Sequence, residues 1–128
     1  MKIRFVPQRY SSDCGVACIA MIAGVSYQEA FDVIGFPEER TQFYTTHTCL
    51  TNALRRLGVL VMRRKFRSWH DIAGLAIVAV NHRRNRRYFH WVIFDGAAII
   101  DPSPKGKLKK NIRYLASGRY LQVVTENI

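Results

Sequence analysis

A cysteine and a glutamine near the start of the sequence have the residue types needed to attack a carbonyl group. Cys14 begins a long apolar run, and Gln8 stands six positions before it. A thiol at the N-terminus of a helix lies in a field that favours the thiolate, the nucleophilic form of cysteine. The Gln8 amide and the backbone N–H of Cys14 could then donate to the oxyanion that forms during the attack. This pattern indicates acyl-transfer chemistry centred on Cys14.

A histidine and an aspartate in the second half could activate such a thiol. In the segment HWVIFDGAAIID, Asp95-Gly96 is a strong signal for a two-residue hairpin turn. With that turn, His90 faces Asp101, and opposed Cβ atoms lie about 4.5–5.5 Å apart, close enough for a carboxylate to reach an imidazole. An imidazole oriented in this way stabilises a neighbouring thiolate. The sequence therefore predicts that Cys14, His90 and Asp101 act together.

The three cysteines also have structural interpretations. A free cysteine is most often a small buried apolar residue, and we expect this role for Cys18 and Cys49. A zinc site is a further alternative, although the sequence lacks the paired spacing of structural zinc sites. Its ligands would be Cys14, Cys18, Cys49 and either His47 or His70. We expect no metal and no cofactor. Three histidines have no carboxylate partner that the sequence assigns and are expected at the surface or in loops: His47, His70 and His82.

The element that must position Cys14 is a helix. Apolar residues run from Cys14 or Gly15 to Ala23, and Gly24 ends the run. They occupy every side of the helix, which is typical of a central helix rather than a surface one. Ser11, Ser12 and Asp13 are candidate caps of its N-terminus. The Asp13 carboxylate is expected to accept helix N–H groups instead of acting as a catalytic acid.

Two more helices and a sheet are expected to follow. Ser26 and Glu29 form a capping-box pattern for a helix over Tyr27–Ile34, and Thr46 starts a third helix that ends at Gly58. Helices gathered before strands predict an α+β domain with a mostly antiparallel sheet. The β-branched and aromatic runs predicted as strands are Val59–Met62, Leu75–Val80, Tyr88–Phe94, Ala97–Ile100 and Arg119–Val124.

The order of these motifs resembles the bacteriocin-processing peptidases, papain-like cysteine peptidase domains that remove double-glycine leaders. The similarity lies in Gln8, in SDCGVAC with Cys14, in FHWVIFDG with His90 and in IIDPS with Asp101. It covers nearly the whole chain and includes TTHTCLTNALRRLGV. It implies Cys14 as nucleophile, His90 as general base and acid, Asp101 as the orienting residue and Gln8 as oxyanion donor. It also implies a papain-like fold and a peptide or protein substrate of the leader type.

Length and composition indicate one domain over residues 1–128, with 48% hydrophobic residues to form its core. The sequence contains no apolar run of about 20 residues, no signal-peptide pattern and no P-loop. We therefore expect a soluble, cytoplasmic, stand-alone form of the peptidase. In well-known members of the family that the sequence resembles, the peptidase domain precedes a membrane-spanning, ATP-hydrolysing transporter in the same chain. Here a transporter or partner chain would be separate.

The net charge of +11 points to an acidic partner. Its densest source is a basic loop before the His90 strand, formed by Arg83, Arg84, Arg86 and Arg87, and we hypothesise that it attracts an acidic leader peptide. The alternative to a peptidase is a catalytically silent binding module of the same fold, which uses its basic face for an acidic peptide or nucleic acid. Nucleic acid is the less favoured partner, because Tyr88, Phe89 and Trp91 also fit a strand packed on both faces.

Overall fold

The computed structural model describes residues 3–81, 90–103 and 114–124. Its elements, in chain order, are α1 (Cys14–Ala23), α2 (Tyr27–Ile34), α3 (His47–Arg56), β1 (Val61–Lys65), a short 3-10 helix (Trp69–Asp71), β2 (Ala76–Val80), β3 (His90–Phe94), β4 (Ile99–Ile100) and β5 (Ala116–Val123). Helices precede strands, and every strand pair is antiparallel. The predicted α+β class is confirmed.

Local signals set the helix ends at or near the predicted residues; α3 ends at Arg56, two residues before the predicted Gly58. Gly24 follows α1 with φ of +70°, a left-handed conformation that glycine adopts without strain. The Ser26 hydroxyl accepts the backbone N–H of Glu29 at 3.1 Å and caps α2, whose predicted bounds are those observed. The Thr46 hydroxyl caps α3 in the same way, accepting the N–H of Cys49 at 3.1 Å. These ends depend on neighbours three residues away, which is why they can be predicted.

The five strands form one sheet in the order β1-β5-β2-β3-β4. The helices cover one face, where α1 packs against β3 and α3 against β1 and β5. Nine of the ten α1 residues are buried, so α1 is the central helix that its all-round apolar pattern predicted. The core on this face contains the side chains of Ile77, Ile93 and Leu121 from β2, β3 and β5.

The bounds of β1 and β5 differ from the predicted ones. The strand expected over Val59–Met62 is shifted to Val61–Lys65, where it pairs with β5. The strand expected from Arg119 starts earlier, at Ala116, since its first residue pairs with Val80 beyond an irregularity in the ladder. Position in a sheet depends on distant partners, so propensity alone places such bounds poorly.

The predicted register of the hairpin between β3 and β4 is wrong by two residues. Phe94 pairs with Ile99 and not with Ala97, so the loop comprises residues 95–98. The Asp95 carboxylate causes this widening, because its Oδ1 accepts the N–H groups of Ala97 at 2.9 Å and Ala98 at 2.8 Å. Side chains alternate between faces with a period of two, so a shift of two residues leaves each side chain on its predicted face.

Within the residues that the structure describes, no single helix is long and apolar enough to cross a membrane. The bent pair of α1 and α2, 113° apart, reaches the required length and composition only when the two are taken together.

Candidate active site

Helix α1 presents Cys14 at its first position, next to the start of β3. The side chain is 4% exposed, and its Sγ accepts the backbone N–H of Trp91 at 3.3 Å. The N-terminus of a helix carries partial positive charge and unpaired N–H groups, which favour a thiolate. Packing of α1 against β3 therefore places Cys14 beside the strand that begins with His90.

Gly15 allows a close approach between α1 and the segment before α3. A Cβ at this position would lie 2.0 Å from the Thr45 Oγ1 and 3.2 Å from the Leu50 Cδ2. The Thr45 carbonyl in turn accepts the indole N–H of Trp91 at 3.2 Å. Only glycine fits after Cys14. Thr45 therefore contacts the start of α1 through its side chain and β3 through its carbonyl group. The sequence pattern contained the glycine but no sign of its neighbour.

The structure brings His90 and Asp101 into contact. The His90 Nε2 and the Asp101 Oδ1 are 2.7 Å apart, with both side chains largely buried. Two further donors hold the carboxylate. The backbone N–H of Ser103 donates to Oδ1 at 2.9 Å, and the Tyr114 hydroxyl donates to Oδ2 at 2.5 Å. The predicted contact is therefore present despite the changed register, whereas Tyr114 gave no signal in the sequence.

Electrostatics in this cluster favour a charged pair. Burial lowers the pKa of His90, but hydrogen bonds to Asp101 and Cys14, together with their negative charges, outweigh burial and raise the pKa to about 10. For Asp101 burial acts in the opposite direction and raises the pKa. Hydrogen bonds from His90, Tyr114 and the Ser103 N–H outweigh it and hold the pKa of Asp101 well below its usual range. An imidazolium held between the Asp101 carboxylate and the Cys14 sulfur follows from this arrangement.

Gln8 lies beside the same cluster and is 8% exposed. Its backbone N–H donates to the Pro102 carbonyl at 2.8 Å, next to Asp101 in the chain. Its side-chain Nε2 donates to the Tyr10 carbonyl at 2.6 Å. An amide nitrogen carries two N–H bonds, and this contact uses one of them. The Gln8 Oε1 is buried and finds no hydrogen-bond partner among the described residues.

The comparison with known families agrees with this geometry. The model of the peptidase C39 family matches residues 2–118. The chain belongs to the peptidase C39 family. It is thus a cysteine peptidase by family, and the predicted family is confirmed. No curated protein gives a significant sequence match to this C39 peptidase.

Solved structures similar to the C39 peptidase share its papain-like fold. One is the peptidase domain of Streptococcus ComA, a bi-functional ABC transporter involved in quorum sensing, with a TM-score of 0.73 and 21% identity over 98% of this chain and 100% of that one. A double-glycine motif protease from an AMS/PCAT transporter, solved with its leader peptide, has a TM-score of 0.69 and 19% identity over 95% and 91%. The peptidase domain of Streptococcus mutans ComA has a TM-score of 0.63 and 20% identity over 94% and 98%.

The other two cysteines of the C39 peptidase differ from Cys14. Cys18 lies one turn further along α1 and is fully buried, as predicted, and burial raises the pKa of its thiol. Cys49 was expected to be buried as well but is only half-buried on α3, and burial again raises the pKa of its thiol. Within the described residues no cluster of histidine, cysteine and acidic side chains could hold a metal ion, so the alternative zinc site is not assembled.

The remaining site predictions either need correction or concern residues outside the described ranges. Asp13 does stand at the N-cap position of α1, but its side chain makes no cap hydrogen bond; it accepts from the preceding loop instead. His47 begins α3 and packs edge-on against Trp91, with its Nε2 2.8 Å from the Arg119 carbonyl oxygen. Outside the described residues lie His82 and the basic loop of Arg83, Arg84, Arg86 and Arg87.

Proposed function

We propose that this C39 peptidase cleaves a leader-type peptide after a double glycine, with Cys14, His90, Asp101 and Gln8 as its catalytic machinery. The observation that carries the proposal is the hydrogen-bonded line from Asp101 through His90 to Cys14 at the N-terminus of α1. Thiol peptidases need this order of groups, because the carboxylate orients the imidazole and the imidazole activates the sulfur.

The first half of the reaction forms a thioester. The Cys14 thiolate attacks the scissile carbonyl carbon, and the carbonyl oxygen becomes an oxyanion. The backbone N–H of Cys14 and the second Nε2 N–H of Gln8 donate to that oxygen. His90 gives its proton to the leaving amine as the carbon–nitrogen bond breaks. Since Nε2 of His90 is bonded to Asp101, Nδ1 is the nitrogen that transfers this proton.

The second half of the reaction releases the leader. His90, now neutral, takes a proton from water as the water oxygen attacks the thioester carbon. The bond between that carbon and the Cys14 sulfur breaks, which frees a carboxylic acid and restores the thiolate–imidazolium pair; the acid then gives its proton to solvent and becomes a carboxylate. Throughout both halves, Asp101 stays ionised and keeps the imidazole in one orientation, as its lowered pKa requires.

The substrate class is supported by similar proteins. A neighbour of the same fold is named as a double-glycine motif protease in complex with a leader peptide. The ComA neighbour is the peptidase domain of an ABC transporter, which supports a transporter as the partner of this chain. With a net charge of +11, the protein would attract a leader of negative charge.

Matched peptides test the proposal. A panel of acidic peptides that carry Gly-Gly before a cleavage point is compared with the same peptides carrying Ala-Ala, and products are identified by mass spectrometry. We expect cleavage after Gly-Gly only, loss of all cleavage in Cys14→Ala, and full activity in the control Cys49→Ala. Cleavage that survives Cys14→Ala would overturn the assigned nucleophile. Equal cleavage of both peptide sets would overturn the assigned specificity.

A further inference from the structure

The loop between Gln8 and Cys14 contains a buried carboxylate that the proposed reaction does not use. Asp13 is 0% exposed. Its Oδ1 accepts the backbone N–H of Tyr10 at 2.9 Å, and its Oδ2 accepts the backbone N–H of Arg9 at 3.0 Å. The carboxylate therefore holds the loop that precedes it, although it stands at the N-cap position of α1.

A third donor reaches this carboxylate from α2. The Tyr27 hydroxyl donates to the Asp13 Oδ2 at 2.5 Å, and the Arg9 guanidinium lies 4.0 Å from the centre of the Tyr27 ring. Burial, and then the hydrogen bond to Asp13, raise the pKa of Tyr27, so the hydroxyl remains a donor. A buried carboxylate is strongly unfavourable unless its oxygens accept hydrogen bonds, and these three donors satisfy both oxygens.

Tyr10 connects the carboxylate to Gln8. The N–H of Tyr10 is held by Asp13, while the carbonyl of Tyr10 accepts the Gln8 Nε2 at 2.6 Å. A change in the backbone at Tyr10 would therefore turn the Gln8 amide. The buried Gln8 Oε1, without a partner in the described part of the chain, shows that the amide does not hold its own orientation through both of its polar atoms.

We propose that Asp13 is a positioning residue for Gln8, which sets the direction of the Gln8 amide through the Tyr10 backbone. Asp13 thus acts on oxyanion stabilisation and not on the thiolate. The inference rests on the proposed function, in which Gln8 donates to the oxyanion. A purely structural Asp13 would change stability alone, and an Asp13 that acts on its neighbour Cys14 would change thiol reactivity.

Two rates separate these roles. Peptide cleavage passes through an oxyanion, whereas alkylation of Cys14 by iodoacetamide forms a carbon–sulfur bond, releases iodide and develops no oxyanion. In Asp13→Asn we expect kcat to fall by about 10- to 100-fold, in line with loss of an oxyanion donor's alignment. The KM and the alkylation rate of Cys14 should stay within about twofold. The exposed Asp71→Asn serves as control and should change neither rate.

A double-mutant cycle tests whether Asp13 acts through Gln8. Gln8→Ala should lower kcat by about 10²- to 10³-fold. Adding Asp13→Asn to Gln8→Ala should lower it by less than about threefold more, because the amide that Asp13 positions is already gone. Fully additive effects would overturn the inference. Tyr27→Phe removes one of the three donors and keeps the carboxylate; with Gln8→Ala it gives a milder cycle if Asp13→Asn fails to fold.

The outcomes distinguish this inference from the proposed function. If the wild-type chain cleaves, and Gln8→Ala slows it while Asp13→Asn and Tyr27→Phe do not, only the inference fails. It also fails if alkylation of Cys14 falls in parallel with kcat. If the wild-type chain alkylates Cys14 selectively but Gln8→Ala leaves cleavage unchanged, the assigned role of Gln8 fails first.

Discussion

Cys14 and His90 lie on two sides of one site, and the protein holds the two sides by different means. Cys14 begins a helix of which nine residues are buried, so its position depends on apolar packing. His90 begins a strand, and its imidazole is held by Asp101, which itself accepts from Tyr114 and Ser103. The side of Cys14, the proposed nucleophile, is part of the core and is called the nucleophile side below. The side of His90, called the imidazole side, is a hydrogen-bond network at the border of the core.

This difference separates stability from catalysis. Packing is shared among many contacts, so removing one apolar side chain weakens the whole fold and leaves the geometry of the remaining folded molecules intact. Hydrogen bonds in the network are few and directional, so removing one changes the orientation or charge of His90 directly. Substitutions on the two sides should therefore separate into those that lower stability and those that lower kcat.

Among variants that keep Cys14, the largest effect is expected on the imidazole side, from Asp101→Asn. Loss of the carboxylate removes the charge that holds the imidazolium, and kcat/KM should fall by about 10³-fold, which corresponds to about 4 kcal/mol. The exposed Asp71→Asn is the matched control, with an expected change of less than twofold. Steady-state cleavage of one peptide measures all three proteins. An Asp101→Asn enzyme within tenfold of the wild type would contradict this account of the imidazole side.

The same variant has a signature in pH dependence. His90 has a raised pKa of about 10, so its contribution to stability is complete below its unfolded value of about 6.5 and is lost as the pH rises from there to about 10. Urea unfolding between pH 6 and pH 10 should show this loss in the wild type, and a smaller loss in Asp101→Asn. Parallel curves for the two proteins would show that Asp101 does not hold the imidazolium.

On the nucleophile side, Ile19→Ala should act on stability. The fully buried Ile19 lies in the middle of α1, and its truncation leaves a cavity that lowers the free energy of unfolding by about 3 kcal/mol. The half-buried Ile34→Ala on α2 is the control, with an expected loss of about 1 kcal/mol. Urea titrations measure both losses. In each variant kcat per folded molecule should stay within twofold. A large fall in kcat would show that apolar packing on the nucleophile side also controls catalysis, and would contradict the separation of the two sides.

Gly15→Ala tests the close approach that brings Cys14 into place. The added Cβ would lie 2.0 Å from the Thr45 Oγ1, and overpacking of this kind lowers stability by about 2 kcal/mol. Removing the hydroxyl in Gly15→Ala/Thr45→Ala should recover part of that loss. Thermal unfolding of the single and double variants measures the recovery. A double variant less stable than Gly15→Ala would show that the contact with Thr45 is not the cause.

The smallest effect is expected from Tyr114→Phe, which removes one of the donors to Asp101. The carboxylate keeps His90 and the Ser103 N–H, so kcat should fall by about tenfold, or about 1.4 kcal/mol. Tyr120→Phe, in the same apolar cluster as Tyr114, is the control. Cleavage kinetics compare the two variants. Equal effects of both would mean that Tyr114 contributes through packing and not through Asp101.

The sequence predicted the helices and the contact between His90 and Asp101 because their signals are local or belong to one motif. Ser26, Thr46 and Gly24 act within a turn of the helix ends that they set. Cys14 was predicted as the nucleophile from its place at a helix start. His90 was predicted as its partner from a hairpin, and the two-residue error in the register of that hairpin leaves His90 on the predicted face.

What the sequence could not predict depends on contacts between distant segments. Tyr114 meets Asp101 across a gap of 13 residues with no periodic pattern between them. Asp13 was predicted as a helix cap, since aspartate before a helix usually is one. Its carboxylate instead accepts the backbone N–H groups of Arg9 and Tyr10 in the preceding loop. The close packing of Thr45 on Gly15 likewise joins two elements that the chain brings together only when folded.

The most direct test of the account is the pH dependence of iodoacetamide labelling, resolved by mass spectrometry for Cys14, Cys18 and Cys49 in the wild type and in His90→Ala. The account predicts selective labelling of Cys14 at about pH 6, because the His90 imidazolium stabilises the Cys14 thiolate. This labelling should be lost in His90→Ala. Cys18 and Cys49, whose pKa values are raised by burial, should remain unlabelled at that pH. Labelling of Cys49 before Cys14, or labelling of Cys14 that is unchanged by His90→Ala, would contradict it.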